Sequence, residues 1–227
     1  MLTIINFKYN FDVNDFSEGN IRRNCPHCDP KSHAFKYPLE TLDKHRNFYI
    51  VCDPHPLIEG HILIMPKEHL VSIANYSDKL INDFKVILEK VRRFVKSNYR
   101  SESVFEHGGF GQTVFHSHIH ILPFKDKPEA IVPEGNRYIR RLENFEDLKK
   151  LYNEEGGYLL FTTAQDMWTV DPKLTTPRFF RDRYAKALGR PERGNWKEAH
   201  DNEQLMQAFD QECKALQLKW RTVKPLT

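Results

Sequence analysis

The chain has no long hydrophobic run, no large charge excess and little cysteine, and each of these absences excludes a class of protein. No window of its 227 residues approaches the roughly 18 uninterrupted apolar residues of a membrane-spanning helix. The formal net charge is only +3 with 29% charged residues, so overall charge does not require a nucleic acid or a membrane as partner. Residues 1–8 contain no basic leader, and we expect a cytoplasmic protein.

Cysteine is scarce and unevenly placed. The four cysteines are Cys25, Cys28, Cys52 and Cys213. They are too few for the disulfide framework of a secreted domain. Cys25 and Cys28 form a Cys-x-x-Cys pair, a spacing that allows both sulfur atoms to face one metal ion. Taken alone, this pair leaves three alternatives open: a zinc site, a redox pair or a chance spacing. His27 and His33 lie near enough in the sequence to be further candidate ligands.

Hydrophobic patterning predicts an α+β fold. Two short β-branched and aromatic runs, residues 48–52 and 61–65, are separated by proline and glycine, which is typical of two strands joined by a loop. Residues 77–98 predict a long amphipathic helix, because apolar residues recur there at steps of three and four. We expect this helix to lie across the sheet and to bury its apolar face.

The composition changes after residue 124, where a lysine- and proline-containing connector begins. The elements predicted beyond it are a helix at 144–153, a hairpin at 158–163 and 167–170, and helices at 178–188 and 201–218. We therefore divide the chain into residues 1–125 and an extension, residues 126–227. In the predicted helix 178–188, Arg178 and Arg181 lie one turn apart on the same face. That face is either exposed to solvent or binds phosphate.

The most informative stretch is residues 111–124, Gly-Gln-Thr-Val-Phe-His-Ser-His-Ile-His-Ile-Leu-Pro-Phe. Its three histidines, His116, His118 and His120, alternate with other residues, and successive side chains of a strand point to opposite faces. We therefore predict a strand that presents all three imidazoles on one face. Packing alone gives no reason for this placement, so the face is a candidate for chemistry.

The pattern His-x-His-x-His followed by two apolar residues closely resembles the signature of the histidine-triad (HIT) nucleotide hydrolases and transferases. The residues before it, 111–114, and the segments 48–53 and 60–69 are similar to that family as well, so the resemblance covers roughly residues 25–125. It implies a HIT-like antiparallel sheet with a packed amphipathic helix, followed by a mostly helical C-terminal extension of unknown role. By the same resemblance residues 1–125 form the nucleotide-binding catalytic domain, and we expect a homodimer.

The resemblance also assigns roles to residues. His118 is the nucleophile, which attacks the α-phosphorus of a small nucleotide and forms a covalent nucleotidyl-histidine. His120 stands beside the phosphate, and His116 completes the catalytic triad. The third triad position is histidine rather than glutamine, which favours water as the acceptor. The substrate-binding residues implied are Asp53 for the ribose, Phe48 for the base, and Gly111, Gln112, Thr113 and His107 around the phosphates.

The zinc-containing branch of the family has a Cys-x-x-Cys pair upstream and takes two histidines from the core domain. The positions that match here are His69 and His116, which with Cys25 and Cys28 imply a Cys2His2 zinc site. A closed tetrahedral site of this kind is structural, because no coordination position is left for a substrate.

One residue departs from the family pattern. Phe105 lies thirteen residues before His118, where the family usually has asparagine or glutamine. Glu106 or His107 could restore a polar group there, and we hypothesise that Arg178 and Arg181 reach the far end of the substrate and select the leaving group.

Three alternatives to a hydrolase stay open. They are a nucleotidyl transferase or phosphorylase of the same fold, a nucleotide-binding sensor, and a nucleic-acid-processing accessory. Nucleic acid is not favoured, because aprataxin-like triad enzymes carry a further Cys/His finger whereas Cys213 stands alone.

Overall fold

The computed structural model describes residues 25–163 and 166–222. The strands of that part are β1 (Phe48–Cys52), β2 (Ile62–Pro66), β3 (Ser103–Gly108), β4 (Ile119–Leu122), β5 (Ile139–Leu142), β6 (Tyr158–Thr163) and β7 (Asp166–Val170). Its α-helices are α1 (Asp78–Tyr99), α2 (Glu146–Glu155), α3 (Phe179–Ala187), α4 (Trp196–Ala199) and α5 (Glu203–Thr222). The predicted α+β class is confirmed. Within the described ranges, no helix is both long and apolar enough to cross a membrane.

The strands form one antiparallel sheet in the order β1-β2-β4-β3-β6-β7-β5. Strand β3 pairs with β6 from Phe105 opposite Phe161 to Gly108 opposite Tyr158. Because β5, β6 and β7 all belong to the extension, the sheet continues across the boundary predicted at residue 125. The two parts of the chain share a sheet, and the division of roles between them stays a prediction.

One face of the sheet packs on α1, as the periodicity predicted. Ser77 caps the helix by accepting a hydrogen bond from the backbone N–H of Leu80, and the helix ends at Arg100, whose φ of 69° is left-handed. Phe48 belongs to this apolar face, because it is only 1% exposed and its ring centroid lies 5.9 Å from those of both Tyr76 and Phe84. The ring of Phe48 is therefore part of the core, and its role as a base contact stays a prediction.

The opposite face of the sheet packs on α3. Phe105 and Phe161 of the sheet meet Phe180 and Tyr184 of the helix, in a buried cluster that crosses the predicted boundary. His120 lies on this face, with its ring stacked on that of Phe105. The extension therefore covers the face of the sheet that carries the triad.

The strand predicted through the three histidines is shorter than expected. Strand β4 begins at Ile119, so His116 and His118 precede it. The backbone is diverted there because the N–H of His116 donates to Val114 O at 2.8 Å and the N–H of Ser117 donates to Leu70 O at 2.6 Å. Only His120 therefore projects from a strand, and the prediction of three imidazoles on one strand face is wrong.

The remaining element predictions are confirmed with shifted ends. The three helices predicted in the extension are observed as Glu146–Glu155, Phe179–Ala187 and Glu203–Thr222, and the hairpin as β6 and β7. Strand β5 was not predicted, because Ile139-Arg140-Arg141-Leu142 does not alternate in polarity. Residues 1–8 lie outside the described residues.

Candidate active site

Four side chains from distant parts of the chain converge beside the triad. The donor atoms of Cys25, Cys28, His69 and His116, which we call the Cys–His cluster, all lie within 4.8 Å of one another. The Nδ1 atom of His116 is 3.5 Å from the sulfur of Cys25 and 3.4 Å from that of Cys28, and His69 Nδ1 is 3.2 Å from Cys28. In a tetrahedral zinc site a sulfur and a nitrogen ligand are about 3.6 Å apart, so the spacing fits this metal.

The hydrogen bonds of His116 also suit a metal ligand. Its Nε2 atom lies 2.8 Å from the carbonyl oxygen of Pro66, and a carbonyl can only accept, so the ring proton is on Nε2. The lone pair of Nδ1 is then directed at the cysteine sulfurs. Burial lowers the pKa of His116 to about 4, which keeps the ring neutral. The carbonyl thus fixes both the tautomer and the orientation that zinc requires.

His118 has the opposite tautomer. Its Nδ1 atom lies 2.6 Å from the carbonyl oxygen of His116, so the proton is on Nδ1 and the lone pair is on Nε2. Burial lowers the pKa of His118, so the ring is unprotonated near neutral pH. His118 is also the most exposed of the three triad residues. An oriented, neutral imidazole with a free lone pair has what nucleophilic attack requires.

The proton of His120 is placed by a chain of hydrogen bonds. His61 Nδ1 accepts from the backbone N–H of Leu57 at 3.2 Å, so the proton of His61 is on Nε2. That atom lies 2.9 Å from His120 Nδ1 and donates to it. The proton of His120 is consequently on Nε2, a buried atom that has no hydrogen-bond partner among the described residues. The structure therefore holds an unused donor beside His118, whose ring centroid is 5.0 Å away.

Asp53 lies beside His61 and His120, and it is bound by an arginine of the extension. Its Oδ2 atom lies 3.6 Å from His61 Nε2 and from His120 Nδ1, and accepts from Arg181 Nη1 at 2.6 Å. We call Asp53, His61, His120 and Arg181 the relay cluster. Asp53 is only 4% exposed, so the predicted ribose contact lacks an accessible carboxylate in this structure.

The relay cluster does not have the protonation pattern of a metal site. Asp53, His61 and His120 place three donor atoms within 4.8 Å of one another, as a cation would require. However, the Nδ1 atom of His61 accepts a backbone hydrogen bond, so its Nε2 atom carries a proton and has no lone pair to offer. Arg181 also brings a positive charge onto the carboxylate. We interpret the group as a network of hydrogen bonds.

Arg181 is engaged within the protein and does not face solvent. It is only 7% exposed, and its Nη2 atom donates to the carbonyl oxygen of His55 at 2.7 Å. The prediction that Arg178 and Arg181 form a matched pair for phosphate is therefore wrong. Arg178 precedes α3 with a left-handed φ of 60°, and its Nε atom lies 3.6 Å from Asp182 Oδ1.

The loop before the triad is braced by the extension. Gly111 has a φ of +67°, its carbonyl accepts from the N–H of Arg178 at 3.0 Å, and a Cβ there would lie 2.5 Å from Thr176 O. Glycine is therefore required both by the backbone angle and by the close approach. Gln112 is buried and donates to His116 O at 3.2 Å, whereas Thr113 is exposed. Their phosphate-binding role stays a prediction.

Phe105, the residue that departs from the family pattern, forms one wall of the site. Its ring stacks on His120 with centroids 4.2 Å apart and an interplanar angle of 13°, and Tyr184 stacks at 5.0 Å. His107 faces α3, and its Nε2 atom accepts from the backbone N–H of Phe180 at 3.2 Å. The ring of Phe105 therefore holds that of His120 in place. An asparagine or glutamine at this position has no aromatic ring that could stack in this way.

Glu106 faces the other side of the sheet. Its carboxylate accepts from Ser117 Oγ at 2.7 Å and from the hydroxyl of Tyr158 at 2.5 Å. Burial raises the pKa of Glu106 to about 7. Glu106 therefore does not restore a polar group at the site, but it anchors the residue between His116 and His118.

Two residues of the site were missed as participants. His61 was part of the family-like segment, but its contact with His120 depends on the pairing of β2 with β4, which places Leu63 opposite His120. His27 was considered only as a metal ligand, yet its ring centroid lies 4.9 Å from that of His118 and its buried Nδ1 atom has no partner among the described residues. His33 lies apart from the Cys–His cluster, with its ring 5.1 Å from His55.

Comparison with known proteins identifies the family of the chain. A family model described as the HIT domain matches residues 38–127. An uncharacterised HIT-like protein of Borreliella burgdorferi is 32% identical over 102 residues, which cover 42% of this chain and 73% of that protein. The chain belongs to the HIT family.

Other similar proteins have named activities or solved structures. Adenosine 5'-monophosphoramidase HNT1 of Candida albicans is 26% identical, over 47% of this chain and 73% of that protein. A bis(5'-adenosyl)-triphosphatase of Saccharomyces cerevisiae is 28% identical, over 69% of this chain and 65% of that protein. A solved zinc-bound histidine triad family protein from Mycobacterium smegmatis has a TM-score of 0.39 and 20% identity, over 48% of this chain and 80% of that chain.

Proposed function

We propose that the chain is a nucleotide hydrolase that acts at the α-phosphate of a small nucleotide. The observation that carries this proposal is the opposite placement of two ring protons: His118 has its lone pair on Nε2, and the neighbouring His120 has its proton on Nε2. The names of the relatives support a substrate class, since one is called an adenosine 5'-monophosphoramidase and another a bis(5'-adenosyl)-triphosphatase. The candidate substrates are dinucleoside polyphosphates, nucleoside phosphoramidates and nucleotide esters.

In the first step, Nε2 of His118 attacks the α-phosphorus, a P–N bond forms, and the leaving group departs with the electrons of the broken bond. The positive charge that develops on the ring is stabilised by the carbonyl of His116, which accepts the Nδ1 proton. The Nε2–H of His120 donates to a non-bridging oxygen, whose charge increases in the transition state. In the second step water attacks phosphorus, His118 leaves as a neutral ring, and the proton of the water passes to solvent.

The Cys–His cluster would hold a structural zinc ion. Its four ligands close the coordination sphere, so the metal would fix protein segments and would not contact the substrate. Those segments are the Cys-x-x-Cys turn, the residues after β2 and the start of the triad. The homodimer stays a prediction. Because β3 is paired with β6 of the same chain, a second copy could not bind by pairing with that edge of β3.

The proposal is tested by the substitution His118→Ala. Purified protein is incubated with adenine and guanine dinucleotides and phosphoramidates, and the reaction is also quenched in alkali to preserve a phosphoramidate adduct. We expect turnover with the unmodified chain, its loss by at least about a thousandfold in the variant, roughly 4 kcal/mol of transition-state stabilisation, and nucleotide attached to His118.

The matched control is His200→Ala, which removes an exposed histidine that lies outside both clusters. It should leave turnover unchanged. Turnover that survives in His118→Ala, or an adduct on a different histidine, contradicts the proposed mechanism. Tight nucleotide binding without turnover by the unmodified chain favours the nucleotide sensor instead.

A further inference from the structure

A buried ion pair joins the two parts of the chain at the active site. The carboxylate of Asp53 follows β1, and the guanidinium of Arg181 comes from α3 in the extension. Arg181 Nη1 donates to Asp53 Oδ2 at 2.6 Å, while its Nη2 donates to His55 O at 2.7 Å. The N–H of His55 in turn donates to Asp53 Oδ1 at 2.9 Å. The guanidinium is therefore fixed by two well-formed bonds, away from solvent.

This pair controls the charge balance around the histidines. Asp53 Oδ2 is 3.6 Å from a nitrogen of His61 and of His120, so an unpaired carboxylate would attract a proton to those rings. With Arg181 present the carboxylate is neutralised, and both rings stay neutral. Burial lowers the pKa of His61 to about 4, while Asp53 raises it and Arg181 lowers it. The two charged groups thus act on His61 in opposite directions.

We propose that Arg181 is a positioning residue of the active site, which neutralises Asp53 and so holds His61 and His120 as a neutral pair with the His120 proton on Nε2. The use of that proton on a phosphate oxygen rests on the proposed function, but the state of the two rings does not. The extension thereby acts on the reaction without touching the substrate.

The second arginine near this group is Arg193, whose Nη1 atom donates to Pro56 O at 3.1 Å and to Glu212 Oε2 at 2.7 Å, so its charge is already paired with a carboxylate. The further groups that act on Asp53 or Arg181 are His55 from the loop after β1, His27 and His33 from the segment before β1, His107 of β3, His118 beside β4, Asp182 of α3, and Cys213 of α5, whose thiol donates to Asp53 O at 3.4 Å. Burial lowers the pKa of His27, His33 and His55, so each adds little positive charge near neutral pH.

The test compares four variants of the full chain: Arg181→Met, Arg181→Gln, Asp53→Asn and the double variant Asp53→Asn with Arg181→Met. Nitrogen-15 NMR of the histidine rings reports which nitrogen carries a proton and whether a ring is charged. Arg183→Met is the matched control, because it breaks an ion pair of the same helix, with Glu134, outside the site.

In the unmodified chain and in Arg183→Met we expect His120 to be neutral with its proton on Nε2. In Arg181→Met we expect the His61–His120 pair to hold an additional proton at pH 7, and the double variant should return it to neutrality, because both charges are then absent. Arg181→Gln, which keeps polar contacts but no charge, gives the same result as Arg181→Met if methionine prevents folding. Neutral rings in a folded charge-removing variant overturn the proposal.

Activity gives a second readout. In Arg181→Met, kcat should fall at least about tenfold while KM changes less than about threefold, and the acid limb of the pH profile should move to higher pH. If no chain hydrolyses a nucleotide but the ring signals change as expected, the hydrolase proposal fails and the positioning role stands. If hydrolysis is normal and the signals of Arg181→Met match those of the unmodified chain, only the positioning role fails.

Discussion

The Cys–His cluster and the relay cluster both contain two histidines and both bring together segments far apart in the sequence, yet they suit different chemistry. In the Cys–His cluster the Nε2–H of His116 donates a hydrogen bond to a backbone carbonyl, so Nδ1 has a lone pair available for a metal. In the relay cluster His61 accepts from a backbone N–H and must keep its proton on the opposite nitrogen. The direction of one backbone hydrogen bond thus decides whether the other ring nitrogen has a lone pair for a metal or a proton for a neighbouring acceptor.

The largest effect that separates the clusters is metal loss. Replacing Cys25 and Cys28 by serine removes two thiolate ligands, and the binding free energy of a structural zinc is also folding free energy, on the order of 10 kcal/mol in small zinc modules. We expect elemental analysis to find one zinc per unmodified chain and none in the double variant, with a thermal midpoint lowered by more than about 10 °C.

The control is Cys213→Ser, whose thiol lies outside the cluster and which should keep its zinc. Absence of zinc from the unmodified chain, or full zinc content in the Cys25→Ser, Cys28→Ser variant, would contradict the assignment. Two zinc ions per chain would instead place a metal in the relay cluster.

An intermediate effect is expected from His61→Phe, which removes the donor to His120 while keeping an aromatic ring. His120 then has no fixed tautomer, and we expect kcat to fall about tenfold, roughly 1.4 kcal/mol, at unchanged zinc content. His61→Gln retains an N–H donor and should recover part of the rate. Equal rates for His61→Phe and the unmodified chain would show that the relay has no part in the reaction.

The smallest effect is expected from Arg178→Ala. Arg178 lies one turn from Arg181 but belongs to neither cluster, and its side chain is about one quarter exposed, at 25%. The specificity constant should change less than about threefold across the substrate panel, or about 0.7 kcal/mol. A tenfold loss for one leaving group would restore the hypothesis that this arginine selects it.

How far the sequence predicted the molecule depends on the range of the contacts involved. Helix α1 was predicted closely, because an apolar stripe with a period of three to four residues is a local pattern. The Cys–His cluster was predicted through family resemblance, and the structure brings together the same four residues. The strand through the triad was mispredicted, since His116 is held by Pro66 from fifty residues away, a contact that local alternation does not register.

The ion pair of Asp53 with Arg181 could not be predicted from the sequence either, because it too joins residues that are far apart in the chain. The two residues are 128 positions apart, and helical periodicity identifies the face of Arg181 only when its partner surface is known. A carboxylate after a strand looks like a turn residue or a ligand contact, and an arginine on a short helix looks solvated. Only the packing of α3 on the sheet shows that each neutralises the other.

The pairing of β3 with β6 has a consequence for dissecting the protein. A fragment that ended at residue 125 would leave β3 with a row of open N–H and C=O groups, and a bare hydrophobic edge of this kind recruits other chains into aggregates. The same cut would remove Arg181 and leave the carboxylate of Asp53 without the cation that neutralises it. We therefore expect that the family-matching segment does not fold on its own, and that proteolysis in the connector yields pieces that precipitate or stay associated.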